Sequence, residues 1–313
     1  MPQSAVRLRF WGVRGSIPSP GLETARYGGN TSCVTLETPS SDGLGGVPGD
    51  PALFILDAGT GIRSLGIDLL RNKRLPITAH LFLSHTHWDH IQGFPFFAPA
   101  LIPGNHIMVH GGMGSDNELA SVLTGQMLHR YFPVSLSELG AVIQFRHTEP
   151  GEHEIAGAHI TVAELHHPGE TVGYRLDVGG VAVAYCTDTE PYPDPDGPDG
   201  PAHPPIDQNV LRLSRNADIL IHDAQYTDAE YVAKVGWGHS PLSYVVRTAI
   251  EAEVKRLILF HHDPIRTDDQ LDALLAEARA LAREAGSTTQ IDAAAEGMEI
   301  LLPVKTGAAL AAV

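Results

Sequence analysis

The sequence predicts an α/β fold in which helices cover β-sheets. Short runs of β-branched and large apolar residues, separated by Gly, Pro and Asn, indicate strands, and three segments with apolar residues at helical spacing indicate amphipathic helices. Strands mixed with such helices are typical of layered folds. The chain has 313 residues, 43% of them hydrophobic, so we expect one domain with a substantial core over residues 1–313.

The first half of the chain is predicted to be rich in strands. We expect strands at residues 8–13, 32–37, 52–56 and 77–84, because each run is apolar and bounded by turn-forming residues. Residues 61–72 place their apolar side chains on one helical face. The chain therefore contains a strand, helix, strand unit.

The second half begins with a predicted β-hairpin. Two apolar runs, residues 172–178 and 181–187, are joined by a Gly-Gly pair that is typical of a tight turn. Residues 191–205 are rich in Pro, Asp and Gly and can supply few ladder hydrogen bonds, so we expect a surface loop there. Further strands are predicted at residues 218–222 and 256–260.

Two helices with recognisable start signals are predicted near the end of the sequence. In the first, we expect Ser240 to cap the helix and Pro241 to occupy its first position. In the second, Thr267 and Gln270 form a predicted capping box, and Gly286 ends the helix.

The charge and cysteine content narrow the classes of partner and compartment. With 21 Lys+Arg against 37 Asp+Glu, the formal net charge is −16, which disfavours broad binding to nucleic acid or anionic membranes. The 2 cysteines cannot form a disulfide framework, and no segment resembles a signal peptide or a membrane span. We expect a cytoplasmic protein without membrane contact, and an Ala-rich tail that frays over residues 305–313.

The most informative segment is the histidine-rich run at residues 84–90, directly after a predicted strand. Alternate residues of an extended chain face the same way, so His85 and His87 can present imidazoles to one cation. Asp89 and His90 lie beyond the turn, where they can bind a second cation. Imidazole and carboxylate ligands suit Zn, Mn, Fe or Ni better than Ca. The sequence therefore predicts a metal site.

The H-x-H-x-D-H pattern at residues 85–90 resembles the signature of the metallo-β-lactamase superfamily, and the resemblance extends through most of the chain. It implies an α/β fold in the form of a four-layer αββα sandwich, with two divalent metal ions. We expect Zn²⁺, with Mn²⁺ as the alternative. The ligands implied for these ions within the run are His85, His87, Asp89 and His90.

Later segments resemble the remaining ligand motifs of that superfamily. The resemblance implies His167 as a ligand, with His166 as the competing candidate, and Asp188 as a carboxylate that bridges the two metals. It implies His261 as the last ligand, with His262 as the alternative. A ligating imidazole needs its other nitrogen oriented, and Asp57 is a candidate for that task or, equally, an ordinary turn residue.

Two further blocks, residues 219–227 and 236–240, resemble motifs of the phosphodiesterase branch, which includes ribonuclease Z and the phosphoribosyl cyclic phosphodiesterases. The resemblance implies that His239 is the general acid that protonates the leaving alkoxide and that Asp223 orients it. The N-terminal blocks resemble those of the small-substrate members. Arg14, Asn30 and Arg175 are therefore candidate contacts to phosphate or ribose, or residues that fix a loop.

The resemblance implies a metal-dependent hydrolase, a phosphodiesterase that cleaves a small, cyclic phosphodiester. Hydroxide held by the two ions, and hydrogen-bonded to Asp89, would attack phosphorus. The alternative is a hydrolase of a lactone, thioester or β-lactam that uses the same ions. Since no Lys/Arg-rich insertion is found, we expect a small-molecule partner and not RNA, and we keep a homodimer as an option.

Overall fold

Two seven-stranded mixed sheets form the centre of the computed structural model, which describes residues 5–39, 52–112, 114–192 and 204–305. The first sheet has the order β14-β1-β2-β3-β4-β5-β6. Its strands are β1 (Ala5–Gly12), β2 (Cys33–Glu37), β3 (Leu53–Leu56), β4 (Thr78–Leu83), β5 (His106–Gly111), β6 (Val142–His147) and β14 (Glu299–Pro303).

The second sheet repeats this plan with the order β13-β12-β11-β10-β9-β8-β7. Its strands are β7 (Gly151–Ile155), β8 (Ala158–Glu164), β9 (Val172–Val178), β10 (Val181–Cys186), β11 (Ile219–Asp223), β12 (Arg256–Phe260) and β13 (Gln290–Ala293). Each sheet contains three antiparallel and three parallel pairs; in the orders given, the antiparallel pairs come first in the first sheet and last in the second sheet.

Helices cover the outer face of each sheet. They are α1 (Gly61–Arg71), α2 (Trp88–Ile91), α3 (Asp116–Gln126), α4 (Gln208–Ser214), α5 (Asp228–Tyr231), α6 (Leu242–Glu251) and α7 (Asp268–Glu284). The strands and helices predicted from the sequence are present, with boundaries that differ by a few residues. No helix in the described ranges has both the length and the apolar character that a membrane span requires.

Three apolar clusters separate four layers. One lies between the sheets and contains Phe10, Phe54 and Tyr174. Ile62 belongs to the cluster under the helices of the first sheet, and Val245 belongs to the cluster under α4, α6 and α7. Helix, sheet, sheet and helix are thus stacked in that order, which confirms the predicted four-layer αββα sandwich.

The helix signals near the end of the chain are confirmed in one case and corrected in the other. The capping box of Thr267 and Gln270 is present at the start of α7, which ends before Gly286 at φ 68°. Ser240 does not cap α6, because its hydroxyl donates to the carbonyl of Thr189 at 2.7 Å. Pro241 takes the N-cap position instead.

Two predictions concern segments that the structure mostly does not describe. Residues 193–203 and 306–313 lie outside the described ranges, and with them most of the predicted loop at 191–205 and of the predicted tail at 305–313. The assignment of residues 1–313 to one domain likewise stays a prediction.

Candidate metal centre

The predicted metal ligands meet at one edge of the sandwich, where the parallel strands of both sheets end. Asp57 follows β3 and His85 follows β4, while Asp188 follows β10 and His261 follows β12. The short helix α2 carries Asp89 and His90 back towards these ends. Carboxyl ends of parallel strands are the usual place for a functional site in α/β folds. Two sheets therefore contribute to one centre.

The ligand-competent side chains form two adjoining groups. In each group the candidate ligand atoms lie within 4.8 Å of one another, and Asp188 belongs to the second group. The first group contains His85, His87 and His167, and the second contains Asp89, His90, Asp188 and His261.

Asp188 links the two groups. Its Oδ1 lies 3.2 Å from Nε2 of His90 and 3.2 Å from Nε2 of His261. Its Oδ2 lies 3.7 Å from Nε2 of His85 and 3.8 Å from Nε2 of His167. Each carboxylate oxygen thus faces the imidazoles of one group, which is the arrangement that a bridging ligand requires.

The protonation states of most of these side chains suit a divalent cation. Burial alone would raise the pKa of Asp188 and of Asp89, but the neighbouring imidazoles outweigh it and hold both pKa values well below their usual range. Burial lowers the pKa of His85, whose buried Nε2 has no hydrogen-bond partner among the described residues. Ionised carboxylates and neutral imidazoles are the forms that bind metals, so the donor set fits divalent ions.

Asp57 fixes the orientation of His90. The buried Asp57 carboxylate accepts from the backbone N–H of Ser84 at 2.8 Å, from its hydroxyl at 2.9 Å and from the Tyr185 hydroxyl at 2.8 Å. His90 donates to it through Nδ1 at 2.8 Å, so Nε2 is directed towards Asp188. Burial would lower the pKa of His90, but the surrounding carboxylates raise it well above its usual value. A cation at Nε2 must displace that proton.

Other ligand candidates are oriented in the same way. His167 donates through Nδ1 to the carbonyl of Gly238 at 2.8 Å, and His261 donates through Nδ1 to Oε1 of Gln225 at 2.9 Å. The backbone N–H of Ser16 donates to Oδ2 of Asp89 at 2.7 Å. Gln225 and Ser16 were not predicted. Gln225 lies two residues after Asp223, the residue predicted to orient the general acid. This proximity was the available signal in the sequence.

In each adjacent His-His pair, the structure distinguishes the ligand candidate from its neighbour. His166 donates to the carbonyl of Glu190 at 2.9 Å and stacks on Tyr192, with 4.0 Å between ring centroids. His262 is buried and donates to the carbonyl of Ala294 at 2.8 Å. His167 and His261 are the members that lie in the two groups of candidate metal ligands.

His239 and Asp223 form a pair beside the cluster. Nδ1 of His239 lies 2.7 Å from Oδ2 of Asp223, and its ring stacks on His261 with centroids 5.0 Å apart. Burial alone would lower the pKa of His239, but Asp223 outweighs it, and the pKa rises to about 9. Glu190 holds the preceding loop by accepting from the backbone N–H of Gly238 at 2.8 Å.

An open cleft of about 460 Å³ gives access to these groups. The exposed indole of Trp88 stands at its edge, 79% accessible to solvent. The cleft therefore joins the metal-binding groups to His239 in one space. Its walls are formed by Ser16, Thr86, His87, Trp88, Asp89, Asp188, His239 and His261.

Most polar atoms of the three predicted substrate contacts are bound within the protein, which favours the alternative that these residues fix loops, while a contact to substrate stays a prediction. The buried Arg14 donates to the carbonyls of Gly28, Asp263 and Arg266 at 2.8, 3.1 and 2.7 Å. Asn30 is held by the carboxylate of Glu296, at 2.6 and 2.8 Å. Arg175 pairs with Asp177 and donates to the carbonyls of Leu213 and Arg215. All three residues fix loops and strands.

Comparison with known proteins agrees with this site. A family model described as a beta-lactamase superfamily domain matches residues 53–262. The chain belongs to this family. This chain is 24% identical to ribonuclease Z of Synechococcus sp. (strain CC9311) in an alignment of 332 positions, gaps included, that covers 88% of this chain and 94% of that protein.

Solved structures of beta-lactamase superfamily proteins show the same fold. The metallo-beta-lactamase fold protein YhfI from Bacillus subtilis gives a TM-score of 0.64 at 17% identity, covering 95% of this chain and 99% of that one. The short form of human tRNase Z gives 0.62 at 18% identity, covering 95% and 100%. These matches confirm the predicted fold and the predicted class, a superfamily hydrolase with relatives of the phosphodiesterase branch.

The prediction about partners is wrong. From the net charge of −16 we expected a small-molecule partner and not RNA, whereas the relatives of this chain include ribonuclease Z proteins. Net charge sums over the whole surface, but phosphate contacts depend on the groups that lie near them. Two of the counted carboxylates, Asp89 and Asp188, are buried among imidazoles and do not repel a strand at the surface.

We expect His167→Ala to lower bound metal by about one equivalent, because an imidazole of the first group is lost. Metal content is measured by plasma mass spectrometry after dialysis. The matched control is His166→Ala, which removes the adjacent imidazole and should retain the wild-type content. Equal losses in the two variants would contradict the assignment of His167.

Asp57→Asn should weaken metal binding by about 10- to 100-fold, since an amide is a poorer acceptor for His90 Nδ1–H than a carboxylate. Affinity is measured by competition with a chromogenic chelator. Tyr185→Phe removes another donor to the same carboxylate and should have the smaller effect. Unchanged affinity in the Asp57 variant would show that this carboxylate does not position His90.

Proposed function

We propose that this protein is a phosphodiesterase that hydrolyses RNA with two divalent metal ions and a histidine general acid. The observation that carries the proposal is the pairing of His239 with Asp223 in the same cleft as the metal-binding groups. Hydrolysis of a lactam or a thioester needs no such pair, whereas the alkoxide that leaves a phosphodiester is strongly basic and benefits from a proton.

Each of the two groups of side chains would hold one ion. His85, His87 and His167 form the first set, and Asp89, His90 and His261 form the second set, while Asp188 contributes to both. The predominance of imidazole favours Zn²⁺, with Mn²⁺ as the second candidate. When bound, such ions activate water for attack and neutralise the charge that develops on the phosphate oxygens.

The residues around the cleft have separate tasks in this proposal. The backbone N–H of Ser16 holds Oδ2 of Asp89, so that its carboxylate is fixed to accept a hydrogen bond from the attacking water. On the leaving-group side, Asp223 keeps a proton on Nδ1 of His239. The opposite nitrogen, Nε2, carries the proton that passes to the departing oxygen. With a pKa of about 9, His239 is in its acid form at neutral pH.

RNA as the substrate class is supported by the relatives. The similarity to ribonuclease Z extends over 94% of that protein, so it includes the segments that carry the metal ligands and His239. The chemistry of the cleft is compatible with this substrate, because hydrolysis of an RNA phosphodiester breaks a P–O bond and releases a sugar alkoxide that needs protonation.

His239→Ala should slow hydrolysis of a dinucleotide by about 10²- to 10⁴-fold, because the sugar alkoxide then leaves without a proton. Hydrolysis of bis(p-nitrophenyl) phosphate should change much less, since nitrophenolate needs no proton. Comparing kcat on the two substrates measures the effect. Asp223→Asn should act in the same direction with a smaller loss. Equal losses on both substrates would exclude the acid role.

In a panel of substrates, we expect the metal-loaded enzyme to hydrolyse RNA and bis(p-nitrophenyl) phosphate, and to leave nitrocefin, a lactone and a thioester intact. His167→Ala, purified in parallel, controls for contaminating ribonuclease and should be nearly inactive. Hydrolysis of the lactam, lactone or thioester in the absence of diester hydrolysis would overturn the proposal. Equal RNA cleavage by the two preparations would also overturn it.

A further inference from the structure

A groove of about 560 Å³ runs between β1 and α1, apart from the metal-binding cleft. Arg9 of β1 and Arg63 and Arg71 of α1 line it, together with a single carboxylate, that of Asp68. Three guanidinium groups in one groove are unusual in a chain with 21 basic residues and a net charge of −16. The local charge of the groove is therefore opposite to that of the molecule.

Two of these arginines carry uncompensated charge. Within the described ranges, the side chains of Arg63 and Arg71 make neither an ion pair nor a hydrogen bond, and both are exposed. Some other surface arginines are paired, as Arg26 is with Asp269 and Arg212 is with Glu152, whereas the exposed Arg283 has no partner in the described part of the chain. The unpaired guanidinium groups on α1 can therefore donate hydrogen bonds to an anionic ligand without first breaking another contact.

Arg9 forms the fixed wall of the groove. Its guanidinium lies 3.9 Å above the centre of the Trp11 ring, and its Nη1 lies 3.3 Å from Oδ1 of Asp68. Nε of Arg9 is buried and has no hydrogen-bond partner in the described part of the chain. The indole and the carboxylate thus hold a guanidinium that still has an unused donor.

The groove starts close to the metal centre. The segment that connects β3 with α1 touches α2, because the backbone N–H of Ala58 donates to the carbonyl of His90 at 2.8 Å. Arg63 lies in the first turn of α1 and Arg71 at its end, eight residues and about 12 Å further along the helix axis. Two successive phosphates of a single strand fit such a span, one for each of these arginines.

We propose that this groove binds the phosphate backbone of an RNA strand whose cleaved bond lies in the metal-binding cleft. This inference rests on the proposed function, and it adds a second contact region that the metal centre does not contain. Arginine suits the role because its planar fork of donors matches phosphate oxygens. Binding through the groove is electrostatic and therefore independent of base sequence.

The test is the salt dependence of binding to a fluorescein-labelled single-stranded RNA, measured by anisotropy over a range of KCl concentrations. In Arg63→Gln/Arg71→Gln, the plot of log K against log salt should become shallower by about 1.4, because each phosphate contact in a single strand contributes about 0.7. Arg63→Lys/Arg71→Lys keeps both charges and should retain most of the slope.

The matched control is Arg283→Gln, which removes an exposed arginine from the last turn of α7, as Arg71 lies in the last turn of α1. It should bind as the wild type does, with melting temperatures verified for all variants. A wild-type slope in the Gln double variant would overturn the proposal that this groove binds RNA. An equal change of slope in the Arg283 variant would overturn it as well. Wild-type protein that binds phosphatidylserine vesicles and not RNA would also overturn it.

The same samples distinguish the groove from the catalytic proposal. RNA length is checked on a gel after each titration. If the slope changes as expected but neither RNA nor bis(p-nitrophenyl) phosphate is hydrolysed, the groove stands and the proposed function fails. If diesters are hydrolysed and the slope does not change, only the groove is excluded.

Discussion

The buried carboxylate of Asp188 is the constraint on which the metal centre depends. It lies between imidazoles contributed by both sheets, and its two oxygens face different groups of ligands. An ionised carboxylate away from water is costly unless positive charge compensates it. The four imidazoles around it are neutral when they bind a metal, so divalent cations would supply that positive charge. The Asp188 side chain therefore links ligand groups from both sheets in a single site.

The backbone around the centre is strained in a way that agrees with this view. Asp57, Asp188 and His261 adopt positive φ angles of 60°, 49° and 56°, and Ser16 adopts 63°. Such conformations cost free energy in residues other than glycine and persist where the surrounding structure enforces them. At each of these residues the strained turn presents a polar group to the cluster. Gly15 is needed nearby, because a Cβ there would clash with the His261 ring.

The sequence was sufficient for groups whose position follows from a neighbouring strand. His85 and His87 could be predicted because alternation after β4 is local, whereas Asp188 and His261, which lie after β10 and β12, were implied by the family resemblance. The contacts of Arg14 could not be predicted, since its donors reach carbonyls such as that of Asp263, 249 residues away in the chain. Long side chains choose partners in three dimensions, and spacing does not reveal them. Edge strands such as β6 were also missed. Their residues alternate between exposed and half-buried, and none of those in β6 is fully buried.

The most direct test of the account is anomalous diffraction from crystals of the Zn²⁺-loaded protein, recorded on both sides of the zinc absorption edge. We expect two peaks, one among His85, His87 and His167 and one among Asp89, His90 and His261, with the Asp188 carboxylate between them. Peaks at other residues, or none in protein that hydrolyses phosphodiesters, would contradict the central claim that this cluster is a two-metal catalytic site.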